Sequence, residues 1–300
     1  MASEAELSRV LSEILGRGGL SYRRMEEGDA WATAPLVIGM YEYQVERLSP
    51  RLLLALRDYW QSPKMADQTR FGATRATGTP PPKQMRVIPI EESITPDLQV
   101  GSYEDIAHLV VIAGARIALG PCVCRKQQAM LGHECVRTAR ADSCMAFNDF
   151  ADHFVKQGIG GSIARIEALD ALAARQREGL VLMPSNSKEA QFVCSCGPDC
   201  CGVLAGLGRA EWPADHALSN YLAVVESDAC SACGSCVRMC PMDAVELDAA
   251  SASVNAARCI GCGVCVAQCG SGAVTLARKP EAAEPPETWD DLMRLYDHTR

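Results

Sequence analysis

Cys230-Ser231-Ala232-Cys233-Gly234-Ser235-Cys236-Val237-Arg238-Met239-Cys240-Pro241 is the stretch on which the fold turns. Its cysteines are separated by two, two and three residues. The same spacing returns as Cys259-x2-Cys262-x2-Cys265-x3-Cys269, displaced by 29 residues, with Gly270 where the first copy has Pro241. The flanks repeat too, since Ala244-Val245-Glu246-Leu247 aligns with Ala273-Val274-Thr275-Leu276. One short unit is used twice.

The wider composition bounds the answer. A chain of 300 residues suggests two or three domains. With 48% hydrophobic and 22% charged residues it can bury cores, which excludes wholesale disorder. A net charge of −8 argues against binding nucleic acid by phosphate neutralisation. The opening Met-Ala-Ser-Glu-Ala-Glu has neither a basic nor an apolar signal region. The apolar runs Leu36 to Tyr41 and Leu109 to Ala115 are far short of the roughly 18 residues of a transmembrane helix. A cytoplasmic location is therefore expected, and there the 16 cysteines point to metal rather than disulfides.

The expected class is α+β, in four parts. Residues 1–80 form a helical N-terminal region and linker. A helix over 4–15 is stopped by Gly16-Arg17-Gly18-Gly19, a second runs from Ser49-Pro50 to Trp60, and 61–84 is loop-like. Residues 81–220 form a cysteine-rich α/β domain. Here a strand is expected over Arg86 to Glu91 and a helix over 103–115 capped by Ser102. Helices over 145–157 and 163–178 are separated by Gly158-Ile159-Gly160-Gly161, with Ser162 as the second cap. Leu180 to Met183 and Gln191 to Cys194 read as strands. The duplicated unit fills 221–279, and 280–300 is a linker and closing helix capped by Thr288.

Over 221–279 the double motif resembles the two-cluster bacterial ferredoxin family, so a bacterial ferredoxin-like C-terminal domain is expected. Three cysteines with two residues between each can wrap one corner of a cubane, while the fourth reaches the other cluster. The resemblance implies one [4Fe-4S] cluster on Cys230, Cys233, Cys236 and Cys269, and a second on Cys259, Cys262, Cys265 and Cys240. A pair of structural zinc sites is the rival, but zinc does not require this four-cysteine run twice.

Eight further cysteines lie between 122 and 201: Cys122, Cys124, Cys135, Cys144, Cys194, Cys196, Cys200 and Cys201. With Arg86-Val87-Ile88-Pro89-Ile90 before them, and Pro35 to Gln44 earlier, they are similar to a group of bacterial 4Fe-4S binding proteins. In that group a cysteine-rich domain precedes a two-cluster ferredoxin, so the resemblance covers most of the chain. Three readings compete for these thiols: a further iron–sulfur cluster, which is preferred, a structural zinc site, or thiol chemistry or an unusual cluster at Cys200-Cys201. Adjacent cysteines in an extended chain point to opposite faces, so one metal does not take both without strain. Cys122 or Cys124, with Cys135, Cys144 and one or more of Cys194, Cys196, Cys200 and Cys201, are expected to converge. Arg125 and Lys126 beside Cys124 are placed to lower a thiol pKa or to hydrogen-bond cluster sulfide, but solvated surface charge is the preferred reading. His133 and His153 are candidate metal ligands, with ordinary surface or capping groups preferred. Gly158 to Gly161 lacks the buried strand of a nucleotide fingerprint.

The expected function is an iron–sulfur electron carrier or electron-transfer subunit working with a partner oxidoreductase or flavoprotein. Its expected cofactors are two [4Fe-4S] clusters and one additional metal site in the middle domain. Two alternatives stand beside it. One is a reductase whose middle-domain metal does substrate chemistry; the other is a redox-sensing regulator.

Overall fold

The computed structural model describes residues 3–25, 28–34, 39–60 and 83–298. The linker expected over 61–84 therefore lies almost wholly outside the described residues, as does Pro35 to Ile38. Helices and strands are mixed throughout, as expected of an α+β chain. The N-terminal part holds α1 (Glu4–Gly16), the antiparallel hairpin β1 (Leu20–Met25) and β2 (Gly28–Thr33), a 3-10 turn over Glu42–Arg47, and α2 (Pro50–Trp60). Both expected helices are present.

The centre is built on α3 (Ile106–Ile112), β3 (Ile117–Pro121), α4 (Val123–Met130), β4 (Asp142–Phe147), α5 (Asn148–Lys156) and β5 (Gly161–Ser162). It continues with α6 (Arg165–Arg177), β6 (Val181–Pro184), β7 (Phe192–Cys196), α7 (Gly202–Arg209) and the short α8 (Pro213–His216). The five strands make one antiparallel sheet in the order β5-β3-β4-β7-β6. Alternation along the strands divides the core in two. Ile117, Met145, Phe147 and Val193 face one way, onto Leu109 and Leu172 of α3 and α6. Ala118, Ala146 and Phe192 face the other, onto Phe150 and Phe154 of α5 and Tyr43 of the N-terminal part.

Several boundaries differ from the sequence reading. Residues 145–147 belong to β4, not to a helix, because Phe147 donates its amide to the Gln191 carbonyl and Asn148 donates to that of Arg116. Asn148 then turns the chain with φ of 52° and opens α5. Asp105, not Ser102, caps α3, accepting from the amides of Ala107 and His108. Ser162 lies on β5, and Glu167 caps α6 by accepting from Ala164 at 2.7 Å. Arg86 to Ile90 is extended but meets the sheet only in isolated bridges, with Arg86 donating to Pro184 and Ile88 to Leu182, while Val87 donates to Leu218 and Ile90 to the Cys262 carbonyl. Glu91 opens a 3-10 turn.

The C-terminal part contains β8 (Tyr221–Val225), α9 (Ser235–Met239), β9 (Val245–Leu247), β10 (Ala252–Val254), α10 (Val264–Ala267) and β11 (Val274–Arg278). The closing helix α11 (Trp289–His298) starts at Thr288 as expected, with Thr288 and Asp291 capping each other. Its Trp289 and Leu292 return to the sheet and pack near Phe150 and Phe192.

His153, on α5, corrects one expectation: it is buried at 1% exposure and its ring stacks on Tyr43 at 3.9 Å. Neither ring nitrogen has a hydrogen-bond partner among the described residues. Burial, helped by the Lys156 charge, pushes its pKa down from 6.5 to about 4. The unfolded chain thus binds a proton that the folded chain refuses between about pH 6.5 and 4. Stability is unaffected above this window and falls as the pH drops through it, by on the order of 3 kcal/mol at the acid end. His153→Phe should flatten the fall in melting temperature between pH 6.5 and 4 relative to the wild type. Parallel curves for the two proteins would show that the imidazole is not the acid-labile group.

Candidate functional site

The duplication seen in sequence is a duplication of backbone. β8 pairs with β11 and β9 with β10, both antiparallel. Left-handed residues recur at the same 29-residue offset: Ala232 and Gly261, Gly234 and Gly263, Asp243 and Gly272. These positions bend each cysteine loop back on itself, so that amides turn towards sulfur. Ala223 donates to Cys259 Sγ at 3.4 Å, Ala244 to Cys240 at 3.2 Å and Ala252 to Cys230 at 3.4 Å.

Two groups of thiols result. Cys240 from the first motif lies among Cys259, Cys262 and Cys265 of the second. Burial pushes all of Cys240, Cys262 and Cys265 up, the last to about 12, and the neighbouring cysteine charges add to it. In the other group Cys236 lies near Cys230 and Cys269, and burial with those two neighbours raises it. Cys233 is exposed on the same loop, and the Ser235 amide and the hydroxyls of Ser235 and Ser231 lower it to about 7. Burial raises Cys269, but the Ser271 hydroxyl and the amides of Val274, Ala273 and Ser271 outweigh it and the thiol lies low. The first group is open to solvent at Cys233. The second has Cys259, Cys262 and Cys265 buried against Ile90 and Ser93.

The sheet holds the other thiols. Cys144 on β4 and Cys194 on β7 are direct cross-strand partners, and Cys196 follows on the same face. Cys122 and Cys201 are the residues that open α4 and α7, and Cys124 sits in the first turn of α4. Six of the eight expected cysteines thus meet in a string: Cys122 to Cys124 to Cys201 to Cys196 to Cys194 to Cys144. Cys144 and Cys196 hold Cys194 low, with Arg125 helping. Cys124 and Cys196 hold Cys201 low. Amides of the two helix starts face the string, with Arg125 donating to Cys122, Gly202 to Cys124 and Leu204 to Cys201.

Arg125 overturns the surface reading given to it. It is buried, and its guanidinium donates to the carbonyls of Arg140 at 2.9 Å and Ser195 at 2.8 Å. Lys126 does lie at the surface, paired with Glu46 at 2.8 Å. His133 is exposed. Two residues that sequence reasoning missed cover the string from the N-terminal side. The Tyr41 hydroxyl donates to Gln127 on α4. The Glu42 carboxyl accepts from the Gly39 amide at 2.7 Å. Burial pushes Glu42 up to about 8, against its amide partners and with the Cys194 and Cys122 charges adding. The only signal for them was the Pro35 to Gln44 resemblance, which named no role.

Cys135 and Cys200 differ from expectation. They form a disulfide, which removes both from the string and departs from the reading that the cysteines point away from disulfides. Asp199 draws the two loops together by accepting from the amides of Val136 and Arg137. Only the fold brings these distant segments into contact.

The donor set fits iron–sulfur chemistry better than a lone ion. A tetrahedral zinc with sulfurs at about 2.3 Å requires them about 3.8 Å from one another. Among the described residues, no three of the eight C-terminal cysteines, and no three of the string, have their sulfurs within 4.8 Å of one another. A four-iron cubane spreads its cysteines wider and takes amide donors at sulfur. When bound, such a cluster supplies one-electron redox chemistry.

Gly261 and its counterpart Ala232 separate backbone strain from crowding. Both have positive φ, so alanine is already tolerated in that conformation. A methyl at Gly261, however, would stand 2.6 Å from the Tyr221 carbonyl carbon and 2.7 Å from Ser219 Oγ. Gly261→Ala should cost about 3 kcal/mol in thermal or denaturant unfolding and reduce bound iron. Ala232→Gly should stay within about 1 kcal/mol of the wild type with its iron unchanged. Equal tolerance of both would contradict the packing.

Comparison with known proteins agrees with this geometry over part of the chain. Residues 222–270 match the family described as the 4Fe-4S dicluster domain. A search of curated proteins returned no match. The matched segment covers the duplicated loops, and the chain is a 4Fe-4S-binding protein with an iron–sulfur electron-transfer role.

Proposed function

We propose that the protein relays electrons between a partner oxidoreductase or flavoprotein and its own cysteine-rich sheet. The observation that carries this is the unequal burial of the two thiol groups. In this reading Cys230, Cys233, Cys236 and Cys269 hold the outer cluster, whose loop is open to solvent at Cys233. Cys259, Cys262, Cys265 and Cys240 hold the inner one, turned towards Ile90 and Ser93. The six-thiol string would hold a further iron–sulfur cluster and extend the path.

The chain's own groups would hold and tune these centres. Backbone amides at Cys230, Cys240 and Cys259 favour anionic sulfur, and burial of the inner group limits solvent access. Glu226, Asp228, Glu246 and Asp248 are exposed on the first repeat, in the segments that flank the outer loop in the chain. Their charge favours encounter with a basic partner surface.

The reading is tested by electron flow. The intact, iron-loaded protein, reduced by a low-potential one-electron donor, should pass electrons to a flavoprotein with a basic docking face and transform no small molecule by itself. Onward transfer should slow with added salt. A Glu226→Lys/Asp228→Lys variant should slow it by roughly tenfold at low salt, with its visible spectrum unchanged. A rate indifferent to salt and to these charges would contradict docking at the outer loop. Turnover of a small substrate by the protein alone would favour the reductase reading.

A further inference from the structure

We propose that the Cys135–Cys200 disulfide is an electron acceptor that the C-terminal domain reduces to a dithiol. This rests on the cluster reading above and adds an activity to it.

Three placements support it. First, the disulfide loop is docked on the helix that leads into Cys240. Arg137, two residues from Cys135, reaches Met239 Sδ with Nη1 at 2.8 Å and donates from Nη2 to the Arg238 carbonyl at 3.1 Å. Gly179 completes this junction, since a methyl there would meet both Met239 and Arg137. The contact therefore ties the disulfide to α9, whose flanking cysteine belongs to the inner thiol group.

Second, Cys200 is adjacent to Cys201, a member of the thiol string. The disulfide is thus linked to both sides, through Cys201 to the sheet thiols and through Arg137 to the helix that leads into Cys240. Third, its two sulfurs are unequally accessible. Cys200 is 4% exposed, whereas Cys135 is half-buried beside Val136, which is 90% exposed. Cys135 is the residue more open to solvent, and Asp199 fixes its loop through two amide hydrogen bonds.

The step balances as a two-electron couple. The disulfide takes one electron from each of two reduced clusters and two protons from water. The S–S bond breaks, Cys135 and Cys200 become thiols, and the clusters return to their oxidised state. A low-potential one-electron donor then reloads the clusters. A pair of one-electron centres and one disulfide match the electron count of this reaction.

The test uses the full-length protein purified anaerobically with its iron and without added thiol. Photoreduced methyl viologen is added in small steps while visible absorbance follows the clusters. At each step a sample is quenched in acid and alkylated, and the peptides containing Cys135 and Cys200 are weighed. The expected result is linked peptides at the start and label on both cysteines as the clusters bleach. A Cys135→Ser/Cys200→Ser variant should have the same starting spectrum and accept two fewer electrons than the wild type. Linked peptides that persist after full bleaching would overturn the proposal while leaving the clusters intact. Label on both cysteines before any reductant is added would overturn it too, whether they are free or hold a metal with Asp199. Protein that purifies without iron would remove the cluster reading, and the proposal with it.

Discussion

Glu104 is the constraint on which the arrangement of the whole molecule depends. Its carboxylate has no exposed surface; it accepts from the nearby Gly101 amide at 3.3 Å and from four side chains: Arg86 at 3.0 Å, Asn220 at 2.7 Å, Tyr221 at 2.6 Å and Arg278 at 3.3 Å. Arg86 enters from the segment before the sheet, while the other three side chains belong to the C-terminal part. Arg86 and Asn220 also reach the Ala283 carbonyl, which ties in the chain leading to α11. Burying such a pair is costly, and removing one partner would leave the other charged in the core, a loss of about 3–5 kcal/mol. The interaction is therefore strong as a constraint on geometry, whatever its net effect on stability. It fixes how the duplicated loops sit against the sheet.

That fixed docking orders the rest. Ile90 donates to Cys262, Ser93 closes over Gly263, and Arg137 meets α9, so the inner thiol group and the disulfide face the sheet side. The outer group is left to solvent. A continuous core runs from Phe147 and Val181 through Tyr221 to Val264 and Leu276, and gives the junction an apolar interior as well as a polar knot. Electrons entering at an exposed loop would then have one buried direction to take.

The duplicated unit was legible because its chemistry is local: ligand spacing, left-handed turns and strand flanks all repeat within 29 residues. The cysteine string was half legible. Its CxC pairs and later cysteines suggested convergence, but only the register of Cys144 with Cys194 shows how the sheet achieves it. Residues 145–147 looked helical because they adjoin a helical stretch, and β-pairing overrode that local pattern. Burial of Arg125 and His153, the cover from Tyr41 and Glu42, and the Cys135–Cys200 bond all depend on contacts between distant segments. Glu104 carried no signal at all, because its side-chain partners lie between 18 and 174 residues away.

The central claim is that one chain joins two [4Fe-4S] clusters to a further cluster on the six-thiol string. Iron and acid-labile sulfide counted on the intact, anaerobically purified protein test it most directly. The account predicts clearly more than the roughly eight irons of two cubanes, falling to about that value in a Cys144→Ser/Cys196→Ser variant that keeps the C-terminal signals. A wild-type count of about eight irons, with zinc or nothing on the string, would contradict it.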